Sequence, residues 1–119
     1  MIVVRITLNA LADKHLEVTQ TLLSMIEPVG MEEGCKNYSI FCDIHDKNNF
    51  CLLEEWETRE NLDHHIRSRR FGALLGIKPL LREPLDIRIY TLSHPQGMEV
   101  IEAIRAKGVP YDEHIADLS

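Results

Sequence analysis

Cysteine is scarce in this 119-residue chain. There are three, at positions 35, 42 and 51, an odd number without a Cys-x-x-Cys pair. A disulfide-stapled secreted scaffold is therefore not expected, and free thiols in a reducing cytoplasm are. Basic residues are outnumbered 13 to 19 by acids, for a formal net charge of -6. Phosphate recognition needs a clustered Lys/Arg surface, so no nucleic-acid partner is expected. The one basic knot, Arg67, Arg69 and Arg70, reads as a solvated helix end. No apolar run approaches the roughly 20 residues of a membrane span. The opening Met1-Ile2-Val3-Val4-Arg5-Ile6 lacks the layout of a secretory signal, so a cytoplasmic location is the default. Also missing are a phosphate-binding glycine loop, Gly-x-Gly-x-x-Gly, Gly-x-Ser-x-Gly and His-Glu-x-x-His. Any chemistry must rest on single side chains.

The chain does have clear periodicity. Ile2, Val4, Ile6 and Leu8 alternate with Val3, Arg5 and Thr7, the pattern of a strand. From Asp13 to about Pro28, Val18, Leu22, Met25 and Val29 together with Leu16, Leu23 and Ile26 predict a helix with one broad apolar face, its end marked by Pro28 and Gly30. Residues 35–43 and 50–57 alternate again around a polar turn, predicting a hairpin. The register guessed for it sets Asp43 opposite Phe50, Cys42 opposite Cys51 and Asn37 opposite Trp56. Thr58 is the expected N-cap of a second helical unit, broken near Ser68 to Arg70 and ending by Gly76. Residues 85–92 give a fourth strand.

The order β-α-β-β-α-β predicts an α+β, ferredoxin-like domain with a four-stranded antiparallel sheet and both helices on one face. On the third strand Phe50, Leu52, Glu54 and Trp56 project together, and Cys51, Leu53, Glu55 and Glu57 project opposite. Apolar surface is left on both sheet faces whichever row meets the helices, so a homodimer packed through the sheets is expected. The domain is assigned to residues 1–92 and a C-terminal extension to 93–119. Within the extension, Met98 to Lys107 reads as a short helix ended by Gly108 and Pro110, which must dock on its own domain or on a partner chain.

Two residues stand out as candidates for chemistry, each with a plain alternative. Trp56, the only tryptophan, shares a strand face with Glu54; it either fills the dimer core or walls a site. His65 lies beside Leu62 and Ile66 on a helix, whereas His64 points nearly the other way. His65 is therefore the buried histidine, either a satisfied structural group or an available base. The two histidines diverge and no further ligand is suitably spaced, so no metal site is expected.

The segment Glu33-Gly34-Cys35-Lys36-Asn37-Tyr38, followed by Asn49-Phe50-Cys51-Leu52-Leu53-Glu54-Glu55-Trp56, Leu62, His65, Ser68 and Phe71, resembles the antibiotic biosynthesis monooxygenase family of dimeric α+β barrels. The likeness covers residues 1 to about 92. It implies a homodimeric α/β barrel with a pocket between sheet and helices, and oxidation of a quinol or polyphenol by dioxygen without flavin, haem or metal. On that likeness Trp56 is the aromatic wall, His65 a base or hydrogen-bond partner, Glu54 a polar anchor and Phe71 part of the lining. Asn37 and Tyr38, from the same motif segment, complete the substrate-binding set. There are departures. Leu52 stands where some members carry Asn four residues before the Trp, and Val4 or Arg5 where haem-degrading relatives carry Asn, so haem degradation is not expected. Two other functions are open: a non-catalytic binding or stress-response protein with a pocket for an aromatic metabolite, and a small isomerase.

Overall fold

The computed structural model describes residues 1–108. Strand β1 (Ile2–Asn9) buries its even residues: Ile2, Val4, Ile6 and Leu8 are all at most 6% exposed. It pairs antiparallel with β3 (Asn49–Trp56) on one side and β4 (Asp86–Thr91) on the other, and β3 pairs with β2 (Cys35–Cys42). The strand order β2-β3-β1-β4 is that of a ferredoxin-like α+β domain.

Helix α1 (His15–Gly30) follows a 3-10 turn at Ala12–Lys14 and covers β2. Only Val18, Leu22, Met25 and Val29 are buried along it. The broad face expected from the sequence is narrower, since Leu16, Leu23 and Ile26 are 62%, 58% and 39% exposed. A helix on one sheet layer buries only the stripe that meets its neighbours, so residues to the side of that stripe stay in solvent. Of the two residues expected to mark the end of α1, Gly30 does and Pro28 does not. Pro28 sits in the last turn, where its missing N–H leaves the Ser24 carbonyl without a helical donor, yet the helix runs to Gly30 before Met31 N–H bonds the Glu27 carbonyl at 3.2 Å.

Helices α2 (Arg59–Ile66) and α3 (Arg69–Leu75) each start on a hydroxyl cap. Thr58 Oγ1 accepts from Asn61 N–H and Ser68 Oγ from Phe71 N–H, at 3.1 and 3.2 Å. The second cap makes the break expected near Ser68, leaving Arg67 and Ser68 as the whole joint between the two helices. Glycine is required at Gly34, where φ is +79° and a Cβ would run into the Asn61 side chain. This turn feeds β2 beside α2, and Glu57 N–H ties to the Gly34 carbonyl at 2.8 Å.

The hairpin register differs from expectation by one residue over most of its length: Phe50 faces Cys42 and Cys51 faces Phe41. The cause lies in the turn. Asp43 and Asp46 carboxylates accept from His45 and Asn48 N–H, and Asp43 N–H bonds the Asn49 carbonyl, which extends the ladder and tightens the loop. Cys42 and Cys51 consequently point to opposite sheet faces, and all three cysteines are free. The same shift sets Asn37 opposite Glu55 rather than Trp56, and a bulge between Cys35 and Asn37 then shifts the pairing again, so that Cys35 rather than Lys36 meets Trp56.

The row meeting the helices is Phe50, Leu52, Glu54 and Trp56, all buried, while Cys51, Leu53 and Glu55 are half-buried on the open face. Every residue of β4 is exposed, Ile87 and Ile89 included. In α4 (Met98–Lys107) Val100 is half-buried, and Ile101 and Ile104 are 51% and 66% exposed. The expected docking of this helix is not formed within one chain. The expected stop at Pro110, and the rest of the extension, lie outside the described residues. No helix among the described residues is long and apolar enough to cross a membrane.

Candidate functional site

Glu54 and Trp56 reach the helix side of β3 because they are two residues apart on one strand. His65 comes down on them from the last turn of α2, and Phe71 from the first turns of α3. The helical offset that turns Leu62 and His65 inward turns His64 out, and His64 is exposed.

The geometry is tight. Trp56 and His65 are stacked with ring centroids 4.7 Å apart and planes at 28°, and Phe71 meets His65 edge-on at 5.5 Å. Trp56 Nε1–H donates to Glu54 Oε1 at 2.9 Å. His65 Nε2 lies 3.7 Å from that same oxygen, beyond hydrogen-bonding distance. On its other edge, Nδ1 lies 3.0 and 3.1 Å from the two oxygens of Glu32. The Arg70 guanidinium stands 3.9 Å behind Glu32. Glu54, Trp56 and His65 are 0%, 0% and 2% exposed, whereas Glu32 keeps an edge in solvent.

Burial pushes the Glu54 carboxyl above the usual carboxylate range. The Trp56 N–H and the imidazole oppose this, and Glu32 adds to it. Its second oxygen, Oε2, is buried without a hydrogen-bond partner. Burial, reinforced by Glu54, also raises the Tyr38 phenol, which sits beside Glu54 on the neighbouring strand. The same two causes raise Cys35, so this thiol is held in its unreactive protonated form.

The structure thus gathers Trp56, His65, Glu54, Phe71 and Tyr38 into one cluster between sheet and helices. Asn37 is not part of it. It pairs with Glu55 and accepts a hydrogen bond from Ser39, in the row opposite to Tyr38. The residue that sequence reasoning passed over is Glu32, which lies 33 positions from His65. Its only signal was adjacency to the Gly34 turn, which opens the strand that pairs with Trp56.

The cluster is filled by its own side chains. Hollows of about 260 and 300 Å³ lie on the open sheet face around Thr7 and Asp86, another of about 190 Å³ lies around Arg5 and Cys51, and one of about 130 Å³ lies between α1 and β2. None of these four is lined by Trp56, His65 or Glu54. Among the described residues no three His, Cys, Asp or Glu side chains converge as metal ligands. What the cluster offers chemically is an imidazole fixed on an aromatic face, with a buried carboxyl beside it.

Comparison with known proteins bears on the fold and the family. The protein sll1783 of Synechocystis sp. PCC 6803 is 33% identical over 98 residues, 82% of this chain and 67% of that protein. YcnE of Bacillus subtilis, which is named as a candidate monooxygenase, is 28% identical over 88 residues, covering 73% and 93%. A crystal structure of a candidate antibiotic biosynthesis monooxygenase from Deinococcus radiodurans shares the fold with a TM-score of 0.75 at 22% identity, over 82% of this chain and 97% of that one. Residues 1–75, which carry β1 to α3 and every member of the cluster, match the family described as antibiotic biosynthesis monooxygenase, and the chain belongs to that family.

Proposed function

We propose that the protein is a monooxygenase that oxidises a quinol or polyphenol with dioxygen, without a bound cofactor, in the cytoplasm and as a homodimer. The observation that carries the reading is the stacking of His65 on Trp56 with Nε2 outside hydrogen-bonding distance of Glu54. A quinol is a weak one-electron donor until it loses a proton, and a base beside an aromatic wall is what activates it. His65 takes the hydroxyl proton and Trp56 stacks on the ring. Glu54 anchors a polar group, and Phe71 and Tyr38 close the sides. The quinolate passes an electron to dioxygen, and the radical pair combines at a ring carbon. Loss of water then leaves a hydroxyquinone, with one oxygen atom in the product and the other in the water.

Because the cluster is filled, the substrate enters as α3 moves aside with Phe71, pivoting on the two-residue joint at Arg67 and Ser68. The dimer forms through the open sheet face, where Val3, Cys51 and Leu53 lie half-buried. Residues 1–92 are then the functional unit and 93–119 an appendage. Leu52 favours a second reading, a non-catalytic protein that stores or senses an aromatic metabolite.

Oxygen uptake by chelator-treated protein over a panel of hydroquinones tests the proposal. Uptake is expected to fall in His65→Ala by two orders of magnitude or more, the usual worth of a positioned base, with His64→Ala near wild type. Equal activity in the two variants, with circular dichroism unchanged, would remove His65 from the reaction. Saturable aromatic binding without uptake would favour the second reading.

A further inference from the structure

We infer that Glu32 is the positioning residue of the site: its carboxylate takes the Nδ1–H of His65, leaving the lone pair on Nε2, the nitrogen that faces Glu54 and Trp56. The catalytic meaning of this rests on the oxidase proposed above; the hydrogen-bond assignment stands on geometry alone.

A neutral imidazole has one N–H and one lone pair, and its surroundings choose which nitrogen holds which. Two acids flank His65. Glu32 presents both oxygens to Nδ1 at 3.0 and 3.1 Å, whereas Glu54 Oε1 is 3.7 Å from Nε2 and already accepts the Trp56 N–H. Only the Glu32 contact is within hydrogen-bonding distance, and a carboxylate can only accept. The hydrogen therefore sits on Nδ1. Stacking on Trp56 and the edge of Phe71 hold the ring plane, and turning it over would put a ring carbon against Glu32.

The backbone supports this placement. Glu32 leaves α1 just ahead of the Gly34 turn, which the Glu57 N–H ties to the end of β3. The turn brings an acid from one side of α2 against a histidine on its inner face. When a substrate hydroxyl gives up its proton, its O–H bond breaks and an Nε2–H bond forms. The new positive charge lies against Glu32, and no electrons are transferred in this step. Glu32 thus sets the direction of the base and steadies its protonated form, without touching the substrate.

The test is a long-range ¹H–¹⁵N spectrum of protein labelled at histidine, recorded at alkaline pH. The His65 signals are assigned by their loss in His65→Gln, and exposed His64 serves as internal reference. Wild type should show His65 as the Nδ1–H tautomer. Glu32→Gln, whose amide can donate as well as accept, should move population toward Nε2–H, and Glu32→Asp should restore part of the wild-type pattern. Where oxidase activity is measured, Glu32→Gln should lower kcat on the order of 10- to 100-fold with KM nearly unchanged. A wild-type His65 in the Nε2–H form, or a tautomer indifferent to Glu32→Gln in a folded variant, overturns the inference whatever the activity. The expected tautomers in a protein without oxidase activity would uphold the positioning role and sink the oxidase reading instead.

Discussion

Replacing Trp56 by Phe isolates the indole N–H, because the ring that stacks on His65 is largely kept. The N–H donates at 2.9 Å to a carboxyl whose other oxygen has no partner, so the variant strips Glu54 of its one hydrogen bond. A lost hydrogen bond to a buried charged acceptor costs about 1.5–3 kcal/mol, and the space left by the smaller ring costs roughly 1 kcal/mol more. For a chain of this size the melting temperature should drop by roughly 8–20 °C.

The loss should also depend on pH. Burial holds the folded Glu54 carboxyl above its ordinary value of 4.5, so the folded state keeps this proton more tightly than the unfolded chain. The contribution of such a group is most favourable below the unfolded value and declines as pH rises through the folded one. The Trp56 N–H is what restrains the shift, so removing it pushes the folded value higher still. The gap between wild type and Trp56→Phe should therefore be smallest near pH 4.5 and widen toward pH 8. Urea unfolding followed by circular dichroism at several pH values measures it. A destabilisation of the same size at pH 5 and pH 8 would mean that the bond does not act on a titrating carboxyl, and the electrostatic account of the site would fail.

The remaining predictions concern assembly. Sedimentation at micromolar concentration should give a dimer, because half-buried Leu53 and wholly exposed β4 leave the sheet uncovered; a clean species at the 13.7 kDa chain mass would refute it. Truncation after Leu92 should weaken that dimer or lower its melting temperature, since exposed Ile101 and Ile104 need cover that one chain does not provide. An unchanged dimer and melt after truncation would make α4 a passive appendage.

Much of this structure was legible in the residues because it rests on local rules. The alternation of Ile2 to Leu8, the Thr58 cap and the 100° step from His64 to His65 need no knowledge of the rest of the chain. The Ser68 cap works the same way and breaks the helix where the pattern faltered. What escaped depended on distant pairings. Strand alternation shows that Phe50 and Trp56 share a face, but the opposing residue is chosen by turn bonds from Asp43 and Asp46. Asn37 was placed with the site because it neighbours Tyr38 in the motif; alternation turns it away. Glu32 was invisible for a similar reason: no sequence period links it to His65, and only the Gly34 turn brings the two together. The outward Leu16, Leu23 and Ile26 show that an apolar stripe states what a helix can bury, and not what its neighbours will cover.

The bulge between Cys35 and Asn37 governs inheritance as well as geometry. It places Cys35 and Tyr38, three positions apart, opposite Trp56 and Glu54, which are two apart. Lys36 is the extra residue, so a lineage that deleted it would close the bulge and keep Cys35 and Tyr38 on one sheet face, opposite Trp56 and Glu54, without moving the Gly34 turn or Glu32. A one-residue deletion at Lys36 should thus be accepted in working descendants of this chain, whereas a length change at the hairpin tip, where Asp43 and Asp46 hold the register, should not.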